Sequence, residues 1–366
     1  MACGWKANWE DTQQHFIDWW HRRGLVLGGN PVAWDGLAQA QGDERAAVVD
    51  PGPAPDITFF YTHPEWRARS AHAQLARQRF PADVLPIAAT DVGPGSLALY
   101  LGGEARLADD TVWYLPSIDP EAPESSPPLR FQPESYWWKI TEATLEACAE
   151  LAQGRYFVGC PDIIENIDIV AALRDPQRLL MDMVERPDWV VEKVDEVNRA
   201  FFEVYQRVYD TIKLDDNSST FGAFRLWAPG KMAKVQCDAS AMFSPRMFER
   251  FVVPALTEQC AWLDYSMFHL DGHQCIQHLD LLLAIEPLDA IEWTPDPQVP
   301  SGGDPAWYPM YRKILDAGKS VQAVGVRPEE VVPLLDAVGG KGMYIMTSFE
   351  DEAQAAMLER AVEPYR

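Results

Sequence analysis

The sequence predicts an α/β fold built around a parallel sheet, and three observations carry that prediction. The second half of the chain alternates short apolar runs with helical patterns, the order that generates parallel strands. The run Tyr265-Ser266-Met267-Phe268 passes directly into His269-Leu270-Asp271-Gly272-His273-Gln274-Cys275 and then into a helical pattern. A strand that ends in ionisable side chains before a helix reads as the C-terminal rim of a parallel β/α unit, where a (β/α)8 barrel carries its active site. Finally, 366 residues at 47% hydrophobic content supply a large core, and α/β barrels of this length run as one domain.

Residues 1–30 read as an amphipathic helix. Trp5, Trp9, Phe16, Trp19 and Trp20 recur at helical spacing, and Gly28-Gly29-Asn30 stops it. Pro31-Val32-Ala33-Trp34 is the first strand, and 35–57, small, acidic and rich in Pro and Gly, is loop. A helix over 64–79 opens on a proline. Val84–Ala89 is a short strand ending at Thr90-Asp91, and Ser96–Leu101 starts a short helix. Residues 104–131 form an irregular excursion or a small hairpin. A helix over 133–151 leads to strand 156–159 and the loop Cys160-Pro161-Asp162. Helices follow over 166–185 and 187–213, the second with a core stripe of Trp189, Val190, Val194, Val197, Phe201, Tyr205 and Val208. Strand 221–227 and a loop holding Cys237-Asp238 precede a helix capped by Ser244 with Pro245 at its first position. Strands 265–270, 290–293, 320–325 and 343–347 then alternate with helices 274–284, 305–317, 328–338 and 350–362.

A formal net charge of -24 argues against nucleic acid and anionic membrane surfaces as partners. No run of 18 apolar residues is present, and the N-terminus lacks the apolar core of a signal peptide. The six cysteines follow no disulfide-framework spacing, which fits a reduced, cytoplasmic setting.

The candidate site residues follow from the strand ends. In a strand, His269, Asp271, His273 and Cys275 point to one side and converge on one pocket. They can supply an acid, a base or metal ligands. Against that, His269 and Asp271 can be a hydrogen-bonded pair holding the rim, Cys275 a small core residue and His278 a surface helix residue. Asp91 is a general acid/base or substrate anchor, or else the cap of the helix near Ser96. Glu292 ends a buried strand and needs a partner, His269 being one choice. Trp293 and Trp227 are candidate stacking walls, and Arg225 a candidate carboxylate or phosphate anchor or a structural salt bridge. Asp238 faces the pocket or caps locally, Asp162 belongs to a turn or cap, and Glu165 is a further pocket candidate.

Four segments resemble the uroporphyrinogen decarboxylase superfamily, which includes corrinoid-dependent methyltransferases. They are FPADVLPIAATDVGPGSLALYLGGE, DASAMFSPRMFERFVVPALTEQ, FHLDGHQCIQHLDLLL with LDAIEWTPD, and MYIMTSFEDEAQAAMLERAVE. The resemblance covers roughly residues 80–366. It implies a (β/α)8 TIM barrel over 81–366, preceded by an N-terminal helical extension and the first barrel elements over 1–80. It places Asp91 where the decarboxylases carry their key acid. The chain departs from the decarboxylases in lacking an Arg-Gln-Ala-Gly-Arg motif, which makes uroporphyrinogen a poor substrate. It departs from the methyltransferases' His-x-Cys-Gly zinc element in reading His269-Leu270-Asp271-Gly272. The last strand reads Met346-Thr347-Ser348-Phe349, with no cysteine.

The resemblance implies methyl or alkyl transfer on a small organic substrate. Zinc or another divalent metal would be held by His269, Asp271 and Cys275, with a corrinoid on a partner protein and a homodimer as the assembly. Catalysis would fall to Asp91, His269, Asp271 and Glu292, and substrate binding to Trp227, Arg225, Asp238, Trp293, His273 and Glu165. Two alternatives stand beside this reading. One is a cofactor-free decarboxylase or lyase using Asp91 and His269 as acid and base. The other is a barrel that binds a ligand without turnover.

Overall fold

A computed structural model describes residues 3–37, 40, 42–109 and 111–366. Residues 1, 2, 38, 39, 41 and 110 lie outside the described residues; they fall in the expected helix 1–30, loop 35–57 and excursion 104–131.

The chain opens with helix α1 (Trp9–Trp20) and turns into strand β1 (Leu25–Gly29). Helix α2 (Pro64–Ala76), strand β2 (Ile87–Ala88), helix α3 (Tyr136–Ala152), strand β3 (Phe157–Val158) and helices α4 (Asn166–Arg174) and α5 (Pro187–Ile212) follow. The hairpin β4 (Ser219–Phe221) and β5 (Leu226–Ala228) precedes β6 (Met232–Gln236), α6 (Val253–Trp262), β7 (Tyr265–Asp271) and β8 (Ala290–Thr294). Helix α7 (Tyr308–Asp316), β9 (Ser320–Val326), α8 (Val331–Val338), β10 (Met343–Thr347) and α9 (Glu352–Val362) complete the order.

Six strands form one parallel sheet in the order β1-β10-β9-β8-β7-β6. Their apolar residues are buried on both faces, as parallel strands covered by helices require. Strands β2 and β3 make a separate parallel ladder. No continuous ladder closes the ring among the described residues. Single contacts span the gaps: Asp83 N donates to Leu27 O at 2.9 Å, and Cys160 forms a parallel bridge to Phe221.

The expected helix over 1–30 is corrected. Helix α1 ends at Trp20, and Leu25–Gly29 is a buried strand pairing with β10. The glycines are there for close approach, since a Cβ on Gly29 would stand 2.1 Å from the Thr347 carbonyl oxygen. The expected first strand at 31–34 is a two-residue antiparallel pairing with Gln78–Arg79. Helix α1 covers the N-terminal ends of the strands. Trp19 Nε1 donates to Val321 O at 3.1 Å, and Trp20 Nε1 donates to Trp227 O at 2.9 Å. The 104–131 segment contains the hairpin Glu104–Leu107 with Val112–Leu115.

Two further corrections shape the site. The expected strand 221–227 is a hairpin whose tip, residues 222–225, turns back on itself, with Arg225 at φ +48°. The expected loop before Asp238 holds strand β6, a member of the main sheet. All six cysteines are buried and unpaired with one another. No helix among the described residues is long and apolar enough to cross a membrane.

Candidate active site at the strand ends

Parallel register places Gln236 beside His269, His269 beside Glu292, Glu292 beside Gln322, and Gln322 beside Tyr344. Register partners share a face, so these five side chains form one polar layer across the sheet. Alternation sends Trp293 to the other face, where its ring meets Trp307 with centroids 4.8 Å apart. The hairpin tip lies over this layer. Phe224 packs on the His269 ring at 4.8 Å, Gln322 Nε2 donates to Phe224 O at 2.9 Å, and Tyr344 Oη donates to Arg225 O at 3.1 Å.

His269 Nδ1 is hydrogen-bonded to the fully buried Glu292 carboxylate, whose second oxygen accepts from Thr294 Oγ1 at 2.6 Å. Burial pulls the imidazole pKa down, but the charge and hydrogen bond of Glu292 outweigh it and leave it raised. Beside this pair stand Asp238 and Asp271. One ligand atom from each of Asp238, His269 and Asp271 lies within 4.8 Å of the others. The Asp238 carboxyl is pushed up to about 7, first by loss of solvent around it and then by Asp168. Asp168, in the first turn of α4, accepts from the backbone N–H groups of Asp238 (2.8 Å) and Ala239 (3.0 Å).

A second group of charges joins this one through β6. Lys234 is buried and its Nζ stands 2.7 Å from Asp162 Oδ1. Burial lowers the Lys234 pKa, yet Asp162 and Glu165 more than restore it. Gln236 accepts from Lys234 and donates to Asp238 Oδ2 at 2.7 Å. The Glu165 Oε1 accepts from Gln236 N at 2.6 Å, its Oε2 has no partner among the described residues, and burial pushes its carboxyl up to about 8. The Asp162 N–H donates to Asp91 Oδ1, and Arg67 donates to the Asp91 carbonyl. Burial, then the nearby Asp162, raises the Asp91 pKa.

The structure thus brings together Asp91, Glu165, Asp238, His269, Asp271 and Glu292 at the strand ends. It sets others apart. Trp227 is fully buried at the opposite end, edge-on to Trp9 at 5.5 Å, because the hairpin reverses the chain before reaching it. Trp293 is fully buried behind the sheet. His273 is exposed and bound to Asp296 at 2.7 Å. Cys275 is buried, its thiol pushed up to about 11 by burial, and it accepts from Ser240 Oγ at 3.4 Å. Asp91 does not cap the helix at Ser96, and Asp162 is an ion-pair partner rather than a turn residue alone. His278, expected at the surface, is buried, stacked on Phe248 at 4.3 Å and bound to Ser240 O at 2.9 Å. Arg225 forms no ion pair among the described residues; its guanidinium reaches Leu85 O at 3.5 Å.

Reading the sequence missed Lys234, Gln236, Asp168 and Arg67 as site residues. The signal for the first two was present. Lys234, Gln236 and Asp238 alternate with Val235 and Cys237, the period of a strand, but with the polar face pointing inward.

No protein-family model matches the chain, and neither does any curated protein. Among solved structures, the chain is similar to a methyltransferase from Methanosarcina mazei. The TM-score is 0.62 with 10% identity, over 97% of this chain and 98% of that one. The likeness is one of fold and runs the length of both chains.

Proposed function

We propose that this chain is a metal-assisted group-transfer enzyme of (β/α)8 architecture that moves a methyl or alkyl group onto a small organic acceptor at the strand ends. The observation that carries the reading is the convergence of Asp238, His269 and Asp271 with Glu292 behind the imidazole. A carboxylate on one ring nitrogen fixes the tautomer and leaves the other nitrogen as a ligand, the usual support of a metal-binding histidine. The donor set fits a divalent ion of borderline or hard character, and Asp238, crowded by Asp168, gains from a cation beside it. Two carboxylates in place of thiolates make it a harder site than a cysteine-based zinc site. Cys275, held by Ser240, stands outside it.

When bound, the ion would supply the positive charge that holds an acceptor in its deprotonated form. The rest of the chemistry belongs to the chain. The bond from carbon to the donor breaks with its electron pair staying on the donor, the bond from carbon to the acceptor forms, and the acceptor's proton leaves to the rim carboxylates. Asp91, raised toward its neutral form, would donate a hydrogen bond to the substrate in this reading. Lys234 positions Asp162 and Gln236, and through Gln236 it positions Asp238. In this reading the methyl donor is a corrinoid on a partner protein, which would approach the rim at Asp271.

Elemental analysis of the purified protein beside a His269→Ala/Asp271→Ala variant tests the reading. Near-stoichiometric divalent metal lost in the variant is expected, together with spectroscopic loss of the methyl group from methylcobalamin in the presence of an acceptor. Absence of metal from both proteins would move the reaction to acid/base decarboxylation. That second reading is favoured by one observation, the half-buried Asp91 carboxyl bordering a cavity with two arginines.

A further inference from the structure

A cavity of about 310 Å³ opens beside Asp91, between α2, β2 and the hairpin tip. Its walls include Phe60, Trp66, Leu75 and Ile87, and two guanidiniums, those of Arg67 and Arg225, border it. In a chain with a net charge of -24, acids are plentiful, and ten of the 22 arginines pair with one among the described residues. These two do not: among the described residues neither forms an ion pair. Arg67 donates to the Tyr61 carbonyl at 3.4 Å and to the Asp91 carbonyl, and Arg225 to the Leu85 carbonyl at 3.5 Å. Most of the donor capacity of each fork is left over.

The backbone adds a second, independent observation. Arg225 sits in the left-handed region at φ +48°, while Gly222 on the same tip, with no strain to relieve, carries the glycine. A long β-carbon-bearing side chain there costs roughly 1 kcal/mol against glycine.

We propose that this cavity is a binding site for a small organic carboxylate with an apolar body, its carboxylate held between Arg67 and Arg225 and its body against Trp66, Leu75 and Ile87. Planar guanidinium forks match a carboxylate in two-point fashion, and the apolar walls exclude a fully polar anion. This inference rests on the strand ends being an active site, because it assigns the substrate class of that site. The cavity joins the metal-ligand candidates through the hydrogen-bonded series Asp91, Asp162, Lys234, Gln236, Asp238. Burial, the largest influence on both guanidiniums, weakens their hold on the proton, and an anion would restore it.

Isothermal calorimetry with benzoate and phenylacetate, each against its amide and against inorganic phosphate, tests the proposal. At least one acid is expected to bind with one-to-one stoichiometry, the matching amide at least tenfold more weakly, and phosphate more weakly than the acid. Arg67→Gln is expected to weaken the acid at least tenfold. Arg225→Gly relieves the left-handed residue, so it is expected to melt no lower than the parent while losing at least tenfold in affinity. Equal binding of acid and amide, no binding of either acid, phosphate binding as tightly as the acids, or full affinity in a folded Arg225→Gly would each overturn it. Repeating the titration in His269→Ala/Asp271→Ala separates the two readings. Retained carboxylate binding upholds the cavity whether or not the metal site exists, and loss of metal alone leaves the cavity standing.

Discussion

His269 and Glu292 are register neighbours on adjacent parallel strands, and the imidazole Nδ1 meets the Glu292 carboxylate directly. The pair is built into the sheet rather than assembled by loops, so its geometry is as fixed as the ladder between β7 and β8. The imidazole keeps its proton above the ordinary range because Glu292 outweighs burial.

Glu292→Gln keeps the shape of that carboxylate and removes its charge. The His269 pKa is expected to fall, because burial loses its main opponent and only the weaker pull of Asp238 remains to raise it. A histidine NMR titration of metal-free protein reads this directly, and an unchanged titration would refute the assignment. Because the folded-state pKa is raised, His269 stabilises the fold at low pH, and that contribution fades as pH climbs past about 6.5. The stability advantage of the parent over Glu292→Gln should shrink in the same direction. Divalent-metal affinity should drop about 10–100-fold.

Glu165→Gln is expected to stabilise the protein in a pH-dependent way. The Glu165 carboxyl rises to about 8 on burial, against about 4.3 in an unfolded chain. Over that window the folded state holds a proton that the unfolded state has released, so the parent loses stability as pH rises through it. The variant lacks this loss, and its Oε1 can still accept from Gln236 N. The gap between the two proteins should widen between those values by roughly 3–5 kcal/mol. Urea unfolding at several pH values measures it, and a gap independent of pH would show that Glu165 is ionised throughout.

Lys234→Met removes the one ammonium at the centre of Asp162, Glu165 and Gln236. Methionine fills similar volume, so the cost is that of Asp162 left without its cation, about 3–5 kcal/mol. A lowered denaturation midpoint with an unchanged slope is the expected result. A variant as stable as the parent would mean that the Lys234–Asp162 pair contributes nothing to the fold.

Gly29→Ala tests the corrected reading of the N-terminal glycines. If they ended a helix, alanine would be tolerated. In the structure the new methyl would meet the Thr347 carbonyl at 2.1 Å, and the strands must part. A loss of at least ~1–3 kcal/mol is expected, read from the thermal midpoint.

Much of the architecture was legible because helix and strand periods differ. The alternation after residue 260 and the rim at His269 and Asp271 follow from pattern alone, and β7 through α9 fall where the pattern places them. The errors have three physical origins. Periodicity assumes that polar residues face water. In β6 they face the inside of the sheet, so Met232–Gln236 read as loop and Lys234 went unseen. At β1 the break His21-Arg22-Arg23-Gly24 separated the aromatic stripe of α1 from the apolar strand, but Gly28-Gly29-Asn30 read as the stronger helix stop. The hairpin tip was hidden for a third reason. Its turn carries Phe224 and Arg225, which signal a strand by composition, and only tertiary contacts to His269, Gln322 and Tyr344 bend it. Residues brought together from distant strand ends, such as Asp91 with Asp162, leave no trace in local spacing.

The six buried thiols turn the chain into its own clock of opening. Burial holds those of Cys3 and Cys260 up to about 12 and those of Cys148 and Cys275 up to about 11. An alkylating reagent finds almost no thiolate in the closed molecule. Modification must then wait for each neighbourhood to breathe, and the six report from separate places: the N-terminal segment, α3, the hairpin bridge, the rim, α6 and the turn after β7. Mass spectrometry of partially alkylated protein would rank those neighbourhoods by how often they part from the rest.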